Sequence, residues 1–266
     1  MRQTSYPHLD TGAWGRALLR GAASWWHMVH FGAIVLVMAL SPSTYNRANR
    51  ATTAKHIYAS TWQVLPWFTA LSALLSLVLI RVVVVTAQSY GLSQYALQMV
   101  VRVLVLELIP LSAAVFVALR AGLAFNMGAA TSALSAQADS TPRLSVTRLR
   151  VDLVPRVMAS AFAVLTLAMV SSVIALVQAY LTVYGLSPWG LPGYTRTVAH
   201  VFDLAVTLGF LLKTILFSLA VAVVPVAASL EAPGQPASAD AVQPGAVRLF
   251  LVLLLIEAGS LAIKYI

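Results

Sequence analysis

The chain has 266 residues, of which 60% are hydrophobic and only 9% charged. An ordinary soluble domain carries roughly 25% charged residues, and a soluble fold this apolar has too few polar groups to cover its own surface. The composition therefore excludes an ordinary soluble enzyme or binding module and points to a single membrane domain. The formal charge is +9, but the basic residues fall in clusters between apolar runs. Cytoplasmic loops beside anionic headgroups account for that pattern better than nucleic acid does. The absence of cysteine excludes disulfides, thiolate metal sites and a cysteine nucleophile.

Residues 1–23 are polar to mildly apolar, and a run from Trp25 to Leu40 follows, closed by Ser41-Pro42-Ser43. The run is short for a span, which needs about 20 apolar residues to cross about 30 Å of hydrocarbon. Its tryptophans suit headgroup level, so the sequence predicts an interfacial or re-entrant elbow helix. Residues 1–57 are taken as this N-terminal segment and 58–266 as the spanning domain. Five spans are predicted: 58–86, 94–123, 153–184, 198–230 and 246–263. A polar, basic segment occupies 131–150, a Gly/Pro/Trp loop 185–197, and a Pro/Ala/Gly/Ser linker 232–245. Arg47, Arg50 and Lys55 precede the first span, and Arg143, Arg148, Arg150 and Arg156 lie between the second and third. Basic loops face the cytoplasm, which predicts the N-terminus inside and the C-terminus outside.

Charges within spans are costly and face the protein interior or a wet cavity. By count they are Arg81, Arg102, Glu107, Asp203, Lys213 and Glu257. Glu107 precedes Pro110 by three residues, and a proline inside a helix removes a backbone donor and clashes with the preceding turn. A kink is expected there. Glu107 has two readings: it lines a substrate cavity, or it pairs with Arg102 or Arg81 to hold the bundle together. Arg102 is five residues away, a poor spacing on one helix face, so a partner from another span is expected. His27 and His30 share a helix face without a third ligand, and tryptophans flank them; no metal site is expected. No P-loop is present, and no Ser/His/Asp set suggests an enzyme. Ser72, Ser76, Ala113, Ala114, Ala118, Ala121, Gly122 and Ala124 permit close helix approach.

Glu107-Leu108-Ile109-Pro110, then Arg120-Ala121-Gly122, then Pro155-Arg156, at these intervals, resemble the Glu-Leu-Gly-Pro, Gly-Arg-x-Gly and Pro-Arg motifs of the MlaE family. Those proteins are permease subunits of ABC-type systems that move phospholipid between Gram-negative membranes with MCE-domain partners. Leu212-Lys213-Thr214 is similar to the family's Ile-Lys-Ser, Glu257 stands where the family usually has Asp, and Tyr90 falls where some members have a tyrosine beside the lipid cavity. The resemblance covers roughly residues 10–265. There are departures. Leu106 replaces an arginine, Ser72, Ser76 and Ile80 replace first-span glycines, Val82 replaces a glutamine, and Gly128 an acidic residue. Ala136-Gln137 and Thr147-Arg148 replace Glu-Gln and Asp-Pro in the loop that couples family members to their ATPase.

The resemblance implies an all-α integral membrane fold, an elbow helix followed by five transmembrane helices, acting as a dimer in the bacterial inner membrane. It implies that Glu107, Leu108 and Tyr90 line the lipid route and that Lys213 and Glu257 stabilise the bundle. Pro110, Arg120, Gly122, Pro155 and Arg156 are structural motif positions, and Ala136, Gln137, Arg143 and Arg148 belong to the coupling loop at 131–150. A separate cytoplasmic subunit supplies ATP hydrolysis, and the chain itself needs no cofactor. Two other classes stay open: a degenerate permease serving as a non-transporting scaffold, and a membrane-embedded enzyme or ion pathway. A polar stripe or clustered His/Asp along one span would favour the last, and none is visible.

Overall fold

The computed structural model describes residues 61–120, 154–231 and 244–265, with scattered positions between 26 and 58. In hydrocarbon every backbone polar group must be satisfied within the protein, so long apolar runs become helices. Helix α1 covers Leu65–Ser89. Helix α2 covers Ser93–Val100, passes into a π-helical stretch at Val101–Leu108, and is α-helical again over 109–120. Helix α3 covers Val154–Tyr184. A 3₁₀ turn at Pro188–Gly190 leads into α4, Leu191–Val201. Helices α5, Leu204–Glu231, and α6, Pro244–Tyr265, complete the described elements. Five stretches are long and apolar enough to cross a membrane: Leu65–Ser89, Tyr95–Arg120, Val157–Tyr184, Leu204–Ala227 and Gly245–Lys264. The protein is an all-α, multi-pass membrane protein.

The elbow predicted at 25–40 falls mostly outside the described residues. Trp26, His30, Ala33, Ile34 and Val37 are helical and chiefly exposed. Gly32 lies so close to α5 that a Cβ there would stand 2.9 Å from Val223 Cγ1, so this segment packs on the fourth span.

The fourth span is corrected. It starts at Leu204, not Val198, and most of the loop predicted at 185–197 is the 3₁₀ turn and α4. Asp203 is the reason for the break. Its carbonyl takes the first helical bond from Thr207 N–H at 2.9 Å, and its carboxylate accepts from Leu204 N–H at 2.7 Å. It is therefore a helix N-cap and stands before the span, not within it. The apolar residues of α4 continued the hydropathy of α5 and hid the boundary.

Above this break, the rings of Tyr180, Tyr184 and Tyr194 pack together, with Tyr194 edge-on to Tyr180 at 5.1 Å. The Tyr194 hydroxyl donates to Leu176 O at 2.8 Å, and burial pushes its phenol above the ordinary tyrosine range. Gly190 is required here, because a Cβ would meet Tyr184 side-chain carbons at under 3 Å.

Laterally, α6 packs on α5, α5 on α3, α3 on α1, and α1 on α2. Two apolar cores result. One gathers Phe68, Ala113, Ala114, Val164, Leu167, Phe217, Val221, Leu249 and Leu253. The other gathers Ile80, Val84, Leu97, Val101, Val105, Ala175, Ala179 and Phe210. Ser72 and Ser76 lie buried on the inward stripe of α1, where their small side chains admit α3 closely. Gln178 of α3 donates to Ala73 O of α1 at 3.1 Å. Pro225 sits inside α5, which continues past it to Glu231.

The turn between α1 and α2 is a Schellman cap. Gly91 N–H reaches Gln88 O at 3.1 Å and Leu92 N–H reaches Ala87 O at 2.7 Å, with Gly91 at φ 71°. That conformation disfavours any residue with a Cβ. The space around Gly91 is open, so a substitution meets only the backbone penalty. Gly91→Ala is expected to cost about 1 kcal/mol and Gly91→Asn less. Thermal unfolding in detergent checks this, and the order Ala below Asn below Gly is the outcome to look for.

Candidate functional site: a buried charge network between the two cores

Pro110 shapes the site from below. It has no N–H, and its ring crowds the carbonyl four residues earlier, so a regular α-helix cannot pass through it undisturbed. The chain switches to i→i+5 bonding over Val101–Leu108, and Ile109 N–H bonds to Leu104 O. The proline at which a kink was expected thus follows directly on a change of helix type. Such π segments are common at functional positions because they turn side chains off the α-helical register. Glu107 is the penultimate residue of that stretch.

Glu107 is mostly buried and does not pair with Arg81 or Arg102, both of which point outward. Its partners are lysines from two other spans. Lys213 of α5 donates to Glu107 Oε2, and Lys264 of α6 donates to Glu107 Oε1 at 2.8 Å. Lys213 also lies 2.8 Å from Glu257 Oε2 of α6. Two carboxylates and two ammonium groups thus form a neutral chain, Lys264–Glu107–Lys213–Glu257, joining α2, α5 and α6. Lys213 is the most enclosed, at 3% side-chain exposure, and stands 5.7 Å from the Phe217 ring centroid.

The network lies where the two apolar cores meet. Along α2, Glu107 lies between Leu106 and Ile109 of one core and less than two turns before Ala113 of the other. Along α5, Lys213 lies between Phe210 of one and Phe217 of the other. Burying one unpaired charge in hydrocarbon costs several kcal/mol. Each of these four is held against at least one opposite charge, and the cost is met in pairs. Thr214, fully buried beside Lys213, donates to Phe210 O at 2.7 Å, so its hydroxyl is satisfied within its own helix.

The remaining expected positions are placed as follows. Leu108 is 39% exposed on α2 and Tyr90 is 77% exposed at the hairpin turn; the polar contacts of the charge network involve neither side chain. Pro110 and Pro155 are buried. Arg120 ends the second span, half-buried, and Arg156 lies in the first turn of α3. Gly122, Ala136, Gln137, Arg143 and Arg148 lie outside the described residues. Among those described, no group of three His, Asp or Glu side chains is arranged to hold a metal. Lys264 is the member that the sequence reading missed. Its signal was its place seven residues after Glu257, two helical turns on and on the same face.

A five-span bundle with a neutralised charge cluster in its interior is a polytopic membrane protein. The chain matches the family model "Permease MlaE" over residues 53–263, and it belongs to that family. It is therefore a membrane permease subunit of the ABC-type lipid transporters, whose members work with ATP-binding partners. A search of curated proteins finds no match.

Removing Lys213 alone leaves Glu107 with one cation and Glu257 facing it across the gap. Lys213→Met is expected to destabilise the bundle by about 3–5 kcal/mol. Adding Glu257→Gln to Lys213→Met should recover part of that loss. Melting of the purified single and double variants in detergent tests the pair, and strictly additive losses would dismiss a direct coupling between these side chains.

Proposed function

We propose that this chain moves phospholipid, or a related lipid, between the inner and outer membranes of a Gram-negative cell envelope. It acts as a dimer of permease subunits with the lipid cavity between protomers. A cytoplasmic ATP-binding subunit drives it through the loop at 131–150, and an MCE-domain protein exchanges lipid with it. The chain resides in the inner membrane with its N-terminus cytoplasmic and its C-terminus periplasmic, as the basic loops favour.

The observation that carries this reading is the pairing of a π-helical second span with lysines of the fourth and fifth spans. Alternating access needs helices that shift as units between two arrangements. The network ties α2, α5 and α6 at one level, and motion of one is passed to the others. Leu108, on the exposed side of the same π stretch, is displaced with Glu107 and offers acyl chains an apolar contact. In this role Glu107 sets the position of the lipid-facing surface from behind, and Lys213 and Glu257 hold it.

Two measurements test the proposal. Leu108→Trp is expected to leave the melting temperature of the purified protein unchanged and to lower lipid transfer about tenfold in the reconstituted complex. Unchanged transfer would remove Leu108 from the lipid route. The degenerate-scaffold alternative is separated by the ATP-binding partner. A transporting permease co-purifies with it and its turnover rises with lipid, whereas a scaffold assembles with it and leaves turnover indifferent to lipid.

A further inference from the structure

The five spans contain two carboxylates, Glu107 and Glu257, and the charge network occupies both with lysines. Two arginines remain in the spans of the first hairpin, Arg81 on α1 and Arg102 on the π stretch of α2. Both side chains are exposed, and among the described residues neither has an ion-pair partner.

Their depth makes this unusual. Arg81 lies ten residues before Gly91 and Arg102 eleven after it. The two helices pack antiparallel through Ile80, Val84, Leu97 and Val101. Both arginines therefore stand at about the same level, about 15 Å below the hairpin tip at 1.5 Å per residue. Helix α1 has 25 residues, about 37 Å, against a hydrocarbon core of about 30 Å. Only a few ångströms overhang at each end, so Arg81 is rooted inside the hydrocarbon.

A cation at that depth faces the protein interior, a wet cavity or an anion. The outer face of the hairpin is not the interior of one protomer. A second copy of this chain brings the same two arginines and no unoccupied carboxylate from its spans. Among the described residues no span carboxylate is left to pair with them, and an anion from outside the protein meets the need. It must also be able to lie between apolar helices, because Met99, Val103 and Leu108 are the exposed neighbours of Arg102 on α2. A phosphate group carrying acyl chains meets both conditions, and guanidinium is the side chain suited to bind phosphate through two parallel bonds.

We propose that Arg81 and Arg102 recognise the phosphate of a lipid headgroup on the outer face of the first hairpin, with its acyl chains running along Val103 and Leu108. This rests on the reading of the chain as a lipid permease and adds the residues that select the headgroup. Lipids without phosphate lack the group these arginines bind and are discriminated against.

The test uses the full chain in detergent micelles at low salt and three probes: short-chain phosphatidylglycerol, short-chain diacylglycerol and inorganic phosphate. Calorimetry should show phosphatidylglycerol binding at least tenfold tighter than diacylglycerol. Arg81→Gln and Arg102→Gln should each cut that preference several-fold without altering diacylglycerol binding. If the Gln variants fail to fold, Arg81→Lys and Arg102→Lys keep the charge but lose the two-bond geometry, and should lower the preference with melting unchanged. A preference that survives in folded variants overturns the site and leaves the arginines reaching for the membrane interface. Inorganic phosphate binding as tightly as the phospholipid also overturns it, by assigning a soluble anion. Lipid transfer by the assembled complex is read separately. Transfer with no phosphate preference sinks this inference alone, whereas transfer that is absent sinks the permease reading.

Discussion

Lys213 carries a full charge in almost complete enclosure, and the architecture is arranged around making that tolerable. One carboxylate comes from the second span and one from the fifth, and a second lysine balances the pair. The neutral sum matters more than any single bond. An ammonium ion in low dielectric is opposed by a desolvation cost of several kcal/mol, recovered only with close opposite charges. The three helices that supply those charges are thus held in one relative register. Apolar packing alone would not hold them so, because in lipid it has little preference between a helix neighbour and an acyl chain.

The second span supports this constraint through its irregularity. Pro110 disrupts α-helical bonding, and the chain absorbs the disruption by loosening to a π-helix over the residues before it. The loosened stretch carries Glu107 inward toward the lysines and leaves Arg102, Val103 and Leu108 outward. One segment therefore presents a carboxylate to the interior and a cationic, apolar surface to the exterior. The first hairpin connects this outer surface to Tyr90 through a glycine cap that fixes how α1 and α2 turn back on each other.

Much of the fold was legible in the residues. Five apolar runs near the bilayer length, broken by basic or Gly/Pro-rich segments, specify five helices because hydrocarbon permits few alternatives. The second span begins and the third ends within a residue of the expected limits, whereas the first helix begins at Leu65, seven residues after the expected start. The fourth did not begin as expected, since Val198, Ala199, Val201 and Phe202 carry apolar residues right up to the span that follows. Only the capping geometry of Asp203 reveals the boundary. A kink was expected at Pro110; the change of helix type before it was not, because local propensity does not say how tertiary contacts will absorb a missing donor.

By itself the sequence determined that this protein lives in a bilayer, how many times it crosses, and that Glu107, Lys213 and Glu257 are charges in need of explanation. Hydropathy and the expense of charge in oil are local properties, written in each segment. The tertiary structure alone decided which charges meet. Glu107 and Lys213 are 106 residues apart and Glu107 and Lys264 are 157, and no periodicity within one helix encodes which faces of different helices will touch. Arg102, the arginine nearest Glu107 in sequence, faces away from it, while a lysine near the end of the last span completes its coordination.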